Sequence, residues 1–320
     1  MSRVARSSAR LGAALALGAV LAGCGGSGHA TTATTTVAAT TAAAATTGLA
    51  PPTDPVGRAL QELSVRLGTG LGKFRHDFAA SGRSRSLAQR QALLKKLSGE
   101  FGGADQAIAK AAAASALGGQ ASGLNALRGV TQPVATFLAS STRAATPEQM
   151  TGVYCNLKAL DKLHQTVIAA EQQVNTQAQA LGAPSAPLTV NRPTRGAWNV
   201  AMAAGCFGVI RDQFTALTDA SKKKQAAKAA VTADQIRGAM IAVRSGLAPS
   251  QTGDNPAAVR TAAASLQRLA ALEAAYMTLV ARSWRHGSIS QSRRKQLEQQ
   301  IPTAFKQATT RVQSSGALNF

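Results

Sequence analysis

Aromatic residues are scarce in this chain of 320 residues: two Trp, two Tyr and eight Phe. Proteins that hold single-stranded nucleic acid do so largely by stacking bases on aromatic rings, so the composition argues against nucleic acid as a partner. Acidic residues are few as well, 14 Asp and Glu against 35 Lys and Arg, for a formal charge of +21. An excess of this size draws a protein toward anionic headgroups and polymers. Short catalytic signatures are missing: there is no HExxH, CxxC, P-loop or GxSxG pattern. The zinc, redox, nucleotide and serine-hydrolase chemistries that those spacings serve therefore have no local signature. The reading leans away from an enzyme, and no cofactor or metal is expected. No run of alternating apolar and polar residues marks a strand series.

The first ten residues carry Arg3, Arg6 and Arg10 and no acid, and Leu11 to Val20 is apolar. Charge, apolar run and small residues in that order describe a secretory leader. The run is about half the ~20 residues that a membrane-spanning helix needs. It closes on Leu21-Ala22-Gly23-Cys24, which resembles the lipobox of bacterial lipoprotein precursors. The resemblance implies a signal peptide over 1–23, cleavage before Cys24, and lipidation of Cys24 with diacylglycerol and further acyl chains such as palmitate. Two or more acyl chains anchor stably where one binds marginally. The implied location is extracytoplasmic, on the cell membrane. No later segment is long and apolar enough to cross a bilayer, so the lipid is expected to be the sole anchor. Without the three leader arginines the balance is 32 basic to 14 acidic residues, or +18.

Residues 24–53 follow as a Thr/Ala/Pro tether that holds no charge before the folded part and no Leu before Leu49. Such a stretch cannot build a core, and its expected reach is on the order of 30 Å. Residues 54–320 are expected to form an all-helical domain, a bundle of about eight helices. Val56, Leu60, Leu63, Leu67, Leu71, Phe74 and Phe78 repeat every three or four residues, the spacing of one helix face. Leu87 to Phe101 and Leu124 to Phe137 give two more. Thr146-Pro147-Glu148-Gln149 is a capping-box start for a helix expected to run to about Leu181. Gly182 to Pro193 reads as a loop. Further helices carry Trp198 to Leu217, Ile236 to Val243 after a Thr232 cap, Leu266 to Trp284 after Asn255-Pro256, and Leu297 to Val312 after Ser288 or Ser290. Gly99 to Gly103 and Gly118-Gly119 read as helix breaks. A faint echo matches Ser86, Arg90, Leu93, Leu97 and Phe101 to Ser290, Arg294, Leu297, Ile301 and Phe305, each set after a glycine turn at Gly82 or Gly287. It fits either a duplicated hairpin or the general likeness of amphipathic helices.

With Cys24 set aside, Cys155 and Cys206 remain, and an even pair in an oxidising compartment suggests a disulfide. On a continuous helix Cys155 falls nearly opposite the stripe of Val153, Leu157, Leu160, His164 and Val167. Cys206 falls on the apolar side with Met202 and Val209. Of the histidines, His29 is in the tether, His76 adjoins Asp77, and His164 stands one turn after Asp161; a metal role is the weaker reading for each.

Lys222-Lys223-Lys224, with Lys228, is the densest charge run. It fits either contact with an anionic surface or a solvated link between helices, as does Arg293-Arg294-Lys295. The expected function is a membrane-anchored lipoprotein whose basic, non-catalytic domain binds an anionic envelope component, lipid or wall polymer, or another envelope protein. The alternatives are an envelope hydrolase or transferase with a site assembled across the chain, and a lipoprotein that scavenges a small molecule or metal in a pocket lined by Trp198, Tyr276 and Trp284.

Overall fold

The computed structural model describes residues 77–79, 82, 86–114, 121–180 and 193–318, and every regular element among them is helical. In chain order these are α1 (Leu87–Ala114), α2 (Ala121–Ser141), α3 (Pro147–Tyr154), α4 (Leu157–Ala180), α5 (Arg195–Lys222), α6 (Ala226–Gly246), a 3-10 turn (Ala248–Gln251), α7 (Ala257–His286) and α8 (Gln291–Ser314). The expected all-α bundle is what the chain forms. The leader, the tether, Cys24 and the stripe from Val56 to Phe74 lie outside the described residues.

Helix α5 is the hub. A surface helix shows one apolar stripe, whereas a helix that is apolar on all sides belongs inside. Residues 196–210 of α5 are small or apolar almost throughout, and every one of them is buried. The neighbours bind it at successive levels. The indole Nε1 of Trp198 donates to the Leu160 carbonyl of α4 at 3.0 Å. Gly205 meets the backbone of Gly82, where a Cβ on Gly82 would stand 3.2 Å from the Gly205 Cα. Gln213 donates to Thr151 of α3 at 2.9 Å. The buried Arg90 of α1 donates to the Gly208 carbonyl at 3.0 Å and pairs with Asp212 at 2.6 Å. Phe78 lies between the rings of Tyr154 and Trp198 at centroid distances of 5.1 and 6.4 Å.

The C-terminal half is a run of antiparallel neighbours. Arg285 of α7 pairs with Asp234 of α6, and Gln267 of α7 donates to the Arg244 carbonyl of α6 at 2.9 Å. Tyr276 of α7 donates to Glu298 of α8 at 3.1 Å, and Arg311 of α8 donates to Ser265 of α7 at 2.9 Å. Helices α5 and α7 start at the same end, where the Gly196 amide donates to Asn255 at 3.0 Å.

Several expectations need correction. The helix from Thr146 does not run unbroken: its capping box is present, but α3 ends at Tyr154. Asn156 then starts α4 by accepting the Ala159 amide at 3.2 Å. The break resets the helical phase, so Cys155 does not point away from the core; it is 2% exposed. Gly99, Gly102 and Gly103 do not break α1. Leu94, Leu97, Phe101 and Ile108 keep helical spacing across them and are buried, and packing of that face overrides the glycine propensity penalty. Gly118-Gly119 lies outside the described residues. Helix α6 starts at Ala226, and Thr232 is a buried interior residue rather than its cap. Of the two serines before α8, Ser290 is the cap, accepting the Arg293 amide at 3.3 Å.

The sequence echo is local. Ser86 caps α1 as Ser290 caps α8, and Phe101 and Phe305 are both buried. The arginines diverge: Arg90 reaches across to α5, and Arg294 pairs with Glu298 one turn along its own helix. Gly287 is left-handed at φ 72°, whereas Gly82 serves as the crossing point against Gly205 and Tyr154.

Two glycines of α6 give opposite expectations. A Cβ on Gly246 would stand 2.3 Å from the Leu157 Cβ, an atom fixed close to the α4 backbone, whereas a Cβ on Gly238 meets nothing within 4 Å. Gly238→Ala is therefore expected to stabilise the fold by about 0.5–1 kcal/mol through helix propensity. Gly246→Ala is expected to destabilise it by about 1–3 kcal/mol through overpacking. Thermal melts of the two variants beside the wild type check both signs.

Candidate functional site

Lysines 222–224 form the reversal between α5 and α6. Lys223 caps α5, the Lys224 amide donates to the Ser221 carbonyl at 3.1 Å, and the Gln225 amide donates to the Ala220 carbonyl at 2.9 Å. This pair of bonds is the Schellman closure, in which the residue that donates the first bond must be left-handed, a position that favours glycine. The residue in that position is Lys224, at φ 55°. The left-handed region costs an L-residue roughly 1–2 kcal/mol. Because α6 leaves this turn antiparallel to α5, and α7 and α8 are antiparallel to their own neighbours, the α5–α6 turn and the α7–α8 turn lie at one end of the bundle. Two basic stretches far apart in sequence are thereby gathered: Lys222, Lys223, Lys224 and Lys228 on one side, Arg282, Arg285, Arg293 and Lys295 on the other, all exposed.

The acids at this end are largely engaged. Asp234 pairs with Arg285 and with Arg237 at 3.3 Å, and Glu298 pairs with Arg294 at 2.8 Å while accepting the Tyr276 hydroxyl. Burial pushes that hydroxyl up to about 12. Among the described residues, Lys222, Lys223, Lys224, Lys228, Arg282 and Lys295 have no acidic partner. Asp219, one turn before Lys223, is the exposed acid beside them. Sequence reasoning singled out both basic stretches but could not place them together. Ser221 to Lys224 also has a Ser-x-x-Lys spacing, but the buried Ser221 hydroxyl donates to the Leu217 carbonyl at 2.8 Å, within its own helix.

Cys155 and Cys206 are joined in a disulfide with Cα atoms 4.9 Å apart. The bond ties the α3–α4 break to the middle of α5, and both cysteines are buried. His164 is buried in the core, its ring stacked on Trp198 at a centroid distance of 4.9 Å. Asp161 does not join it; that carboxylate pairs with Arg195 and accepts from Asn199 at 3.3 Å. His286 is exposed at the end of α7, and His29 and His76 lie outside the described residues. Among the described residues no group of three or more His, Cys, Asp and Glu is placed to hold a metal ion.

The three aromatic residues expected to line one pocket are not brought together. Trp198 stands three residues into α5, and Tyr276 nineteen residues into α7. Both helices start at the same end, so the two rings are separated by roughly 24 Å along the bundle at 1.5 Å per residue. Trp284 is two turns beyond Tyr276, at the basic end.

One residue that sequence reasoning passed over is Glu273. It lies in the core-facing stripe of α7 between Leu269 and Tyr276, and its Oε2 has no hydrogen-bond partner. Burial pushes its carboxyl up to about 8, because removing a charged carboxylate from water is costly. A signal was available: an acid on the apolar spacing of Leu266, Leu269 and Tyr276. A carboxyl held protonated in the fold and ionised when unfolded makes folding less favourable as pH rises from the unfolded value to the folded one, by at most about 1.4 kcal/mol per pH unit. The melting temperature of the wild type is expected to fall from about pH 5 to about pH 8. Glu273→Gln should flatten that slope, and melts across the range check it. The chain matches no family model, no curated protein and no solved structure.

Proposed function

We propose that the chain is a membrane-anchored bacterial lipoprotein whose helical domain is a non-catalytic binder of an anionic component of the cell envelope. The observation that carries the binding part is the placing of Lys222–Lys224 and Lys228 with Arg282, Arg293 and Lys295 at one end of the bundle, where they outnumber the acids and none is in an ion pair within the described fold. Like charges repel one another, so a fold that gathers them leaves an electrostatic field that a polyanion relieves. The leader ending in Leu21-Ala22-Gly23-Cys24 supports the anchor. It sets the domain on a tether at the outer face of the membrane, where anionic lipids and wall polymers are at hand. Charge–charge contact of this kind is strong at low salt and weak at high salt, since the Debye length shrinks from ~10 Å at 0.1 M to ~3 Å at 1 M.

Two measurements test the reading. In fractionated bacteria the wild type is expected in the membrane and Cys24→Ala in the soluble or secreted fraction; equal membrane association of both would refute the anchor. Binding of the protein to isolated anionic envelope material should fall steeply with salt. Replacing Lys222, Lys223 and Lys224 together with Gln should weaken it on the order of 100-fold, at ~1 kcal/mol for each cation near an anionic surface, without lowering the melting temperature. Salt-insensitive binding would contradict the electrostatic reading.

A further inference from the structure

We propose that the α5–α6 and α7–α8 turns form a docking surface for an anionic lipid bilayer, on which the domain stands end-on with Lys224 at the contact. The inference rests on the anionic-binding reading above and narrows it from any polyanion to lipid.

Lys224 is the first support. Of the left-handed residues among the described part of the chain, Gly287 and Gly316 are the glycines and Lys224 is the exception. Gly287 serves the companion turn between α7 and α8 with φ 72°, so the same bundle end shows the low-cost solution beside the strained one. The Lys224 side chain is exposed and makes no hydrogen bond or ion pair within the described fold. A residue held in a sparsely populated conformation, with no internal partner, points to a role outside the fold.

The arrangement of the cations is the second support. Lys222, Lys223, Lys224 and Lys228 stand at one reversal, and Arg282, Arg293 and Lys295 beside the next. Exposed cations on two turns at the same end of a bundle suit a broad anionic surface that spans both. Trp284 is the third support: it is half-buried on the last turn of α7, at the same end. Trp is the residue type suited to the headgroup level of a bilayer, apolar in body with one polar N–H. Clustered Lys and Arg beside it match the negative potential of an anionic leaflet.

The test uses the full chain carrying Cys24→Ala, so that no acyl group contributes. Sedimentation is measured with vesicles of phosphatidylcholine alone, with vesicles containing phosphatidylglycerol, and with soluble poly(glycerol phosphate) as a competitor. The leader is common to all variants, so differences among them report the turns. Expected are binding to the phosphatidylglycerol vesicles beyond that to phosphatidylcholine, and its loss at high salt. Lys224→Gly should weaken vesicle binding about fivefold, the equivalent of ~1 kcal/mol for one cation at an anionic surface, and should raise the melting temperature by relieving the left-handed residue. Lys306→Gln, on the far half of α8, should leave binding within a factor of about two, since a charge beyond a Debye length is screened. Equal binding by wild type and Lys224→Gly, or a lower melting temperature for Lys224→Gly, overturns the proposal. Binding to the polymer without binding to the anionic vesicles also overturns it, while leaving the broader anionic reading standing. Binding to neither overturns both.

Discussion

Everything in this fold is arranged around the burial of one helix. Over residues 196–210, α5 has no solvent-facing side. A helix enclosed on every side must let several neighbours approach at once, and that favours small residues. Ala197, Ala201, Ala203, Ala204, Gly205 and Gly208 provide it. Gly205, crossed by the backbone of Gly82, and Gly196, against the Asn255 side chain, are instances. The same demand accounts for a chain rich in alanine and poor in aromatic residues, because bulky rings at most α5 positions would hold the neighbours apart. The few aromatics cluster, with Phe78, Tyr154 and Trp198 in contact around the start of α5.

The Cys155–Cys206 disulfide fixes the hub to the break between α3 and α4. With a sequence separation of 51 between the cysteines, the closed loop contributes on the order of 4 kcal/mol in the chain-entropy model. Arg90 fixes the opposite side through Asp212 and the Gly208 carbonyl. A rigid centre has a consequence at the ends. Once α5 is held, the α5–α6 reversal has one position, α7 and α8 follow antiparallel to their neighbours, and the charged segments that cannot enter the core are gathered at one end. The basic end is thus a product of the topology, and its unbalanced charge is a product of the sequence.

The helices were legible because the apolar residues repeat at three and four, a pattern that survives any tertiary context. The cap at Thr146 was legible for a similarly local reason, and the cap of α8 was narrowed to Ser288 or Ser290. The disulfide was legible as a pair but not in its setting: Cys155 is buried because the helix breaks at Cys155 and Asn156, and a two-residue interruption leaves almost no trace in periodicity. Gly99 to Gly103 misled because propensity is a weak prior against a packed face. That Lys222–Lys224 lie at the same end of the bundle as Arg293 and Lys295 was invisible, since about 70 residues separate them and only the antiparallel course of α6 to α8 puts them there. The left-handed Lys224 was hidden for another reason: glycine marks such positions, and here no glycine stands.

The central claim, that the fold is organised by the enclosed and cross-linked α5, is tested most directly by native-state hydrogen exchange resolved along the chain. The amides of residues 196–210 are expected to exchange slowest of all, and only through global unfolding. After reduction of Cys155–Cys206 they should lose protection together with α3 and the start of α4, whereas the α7–α8 pair should lose less. If α5 exchanges faster than α7 and α8 in the oxidised protein, or if reduction leaves its protection unchanged, the hub is elsewhere and the account is wrong.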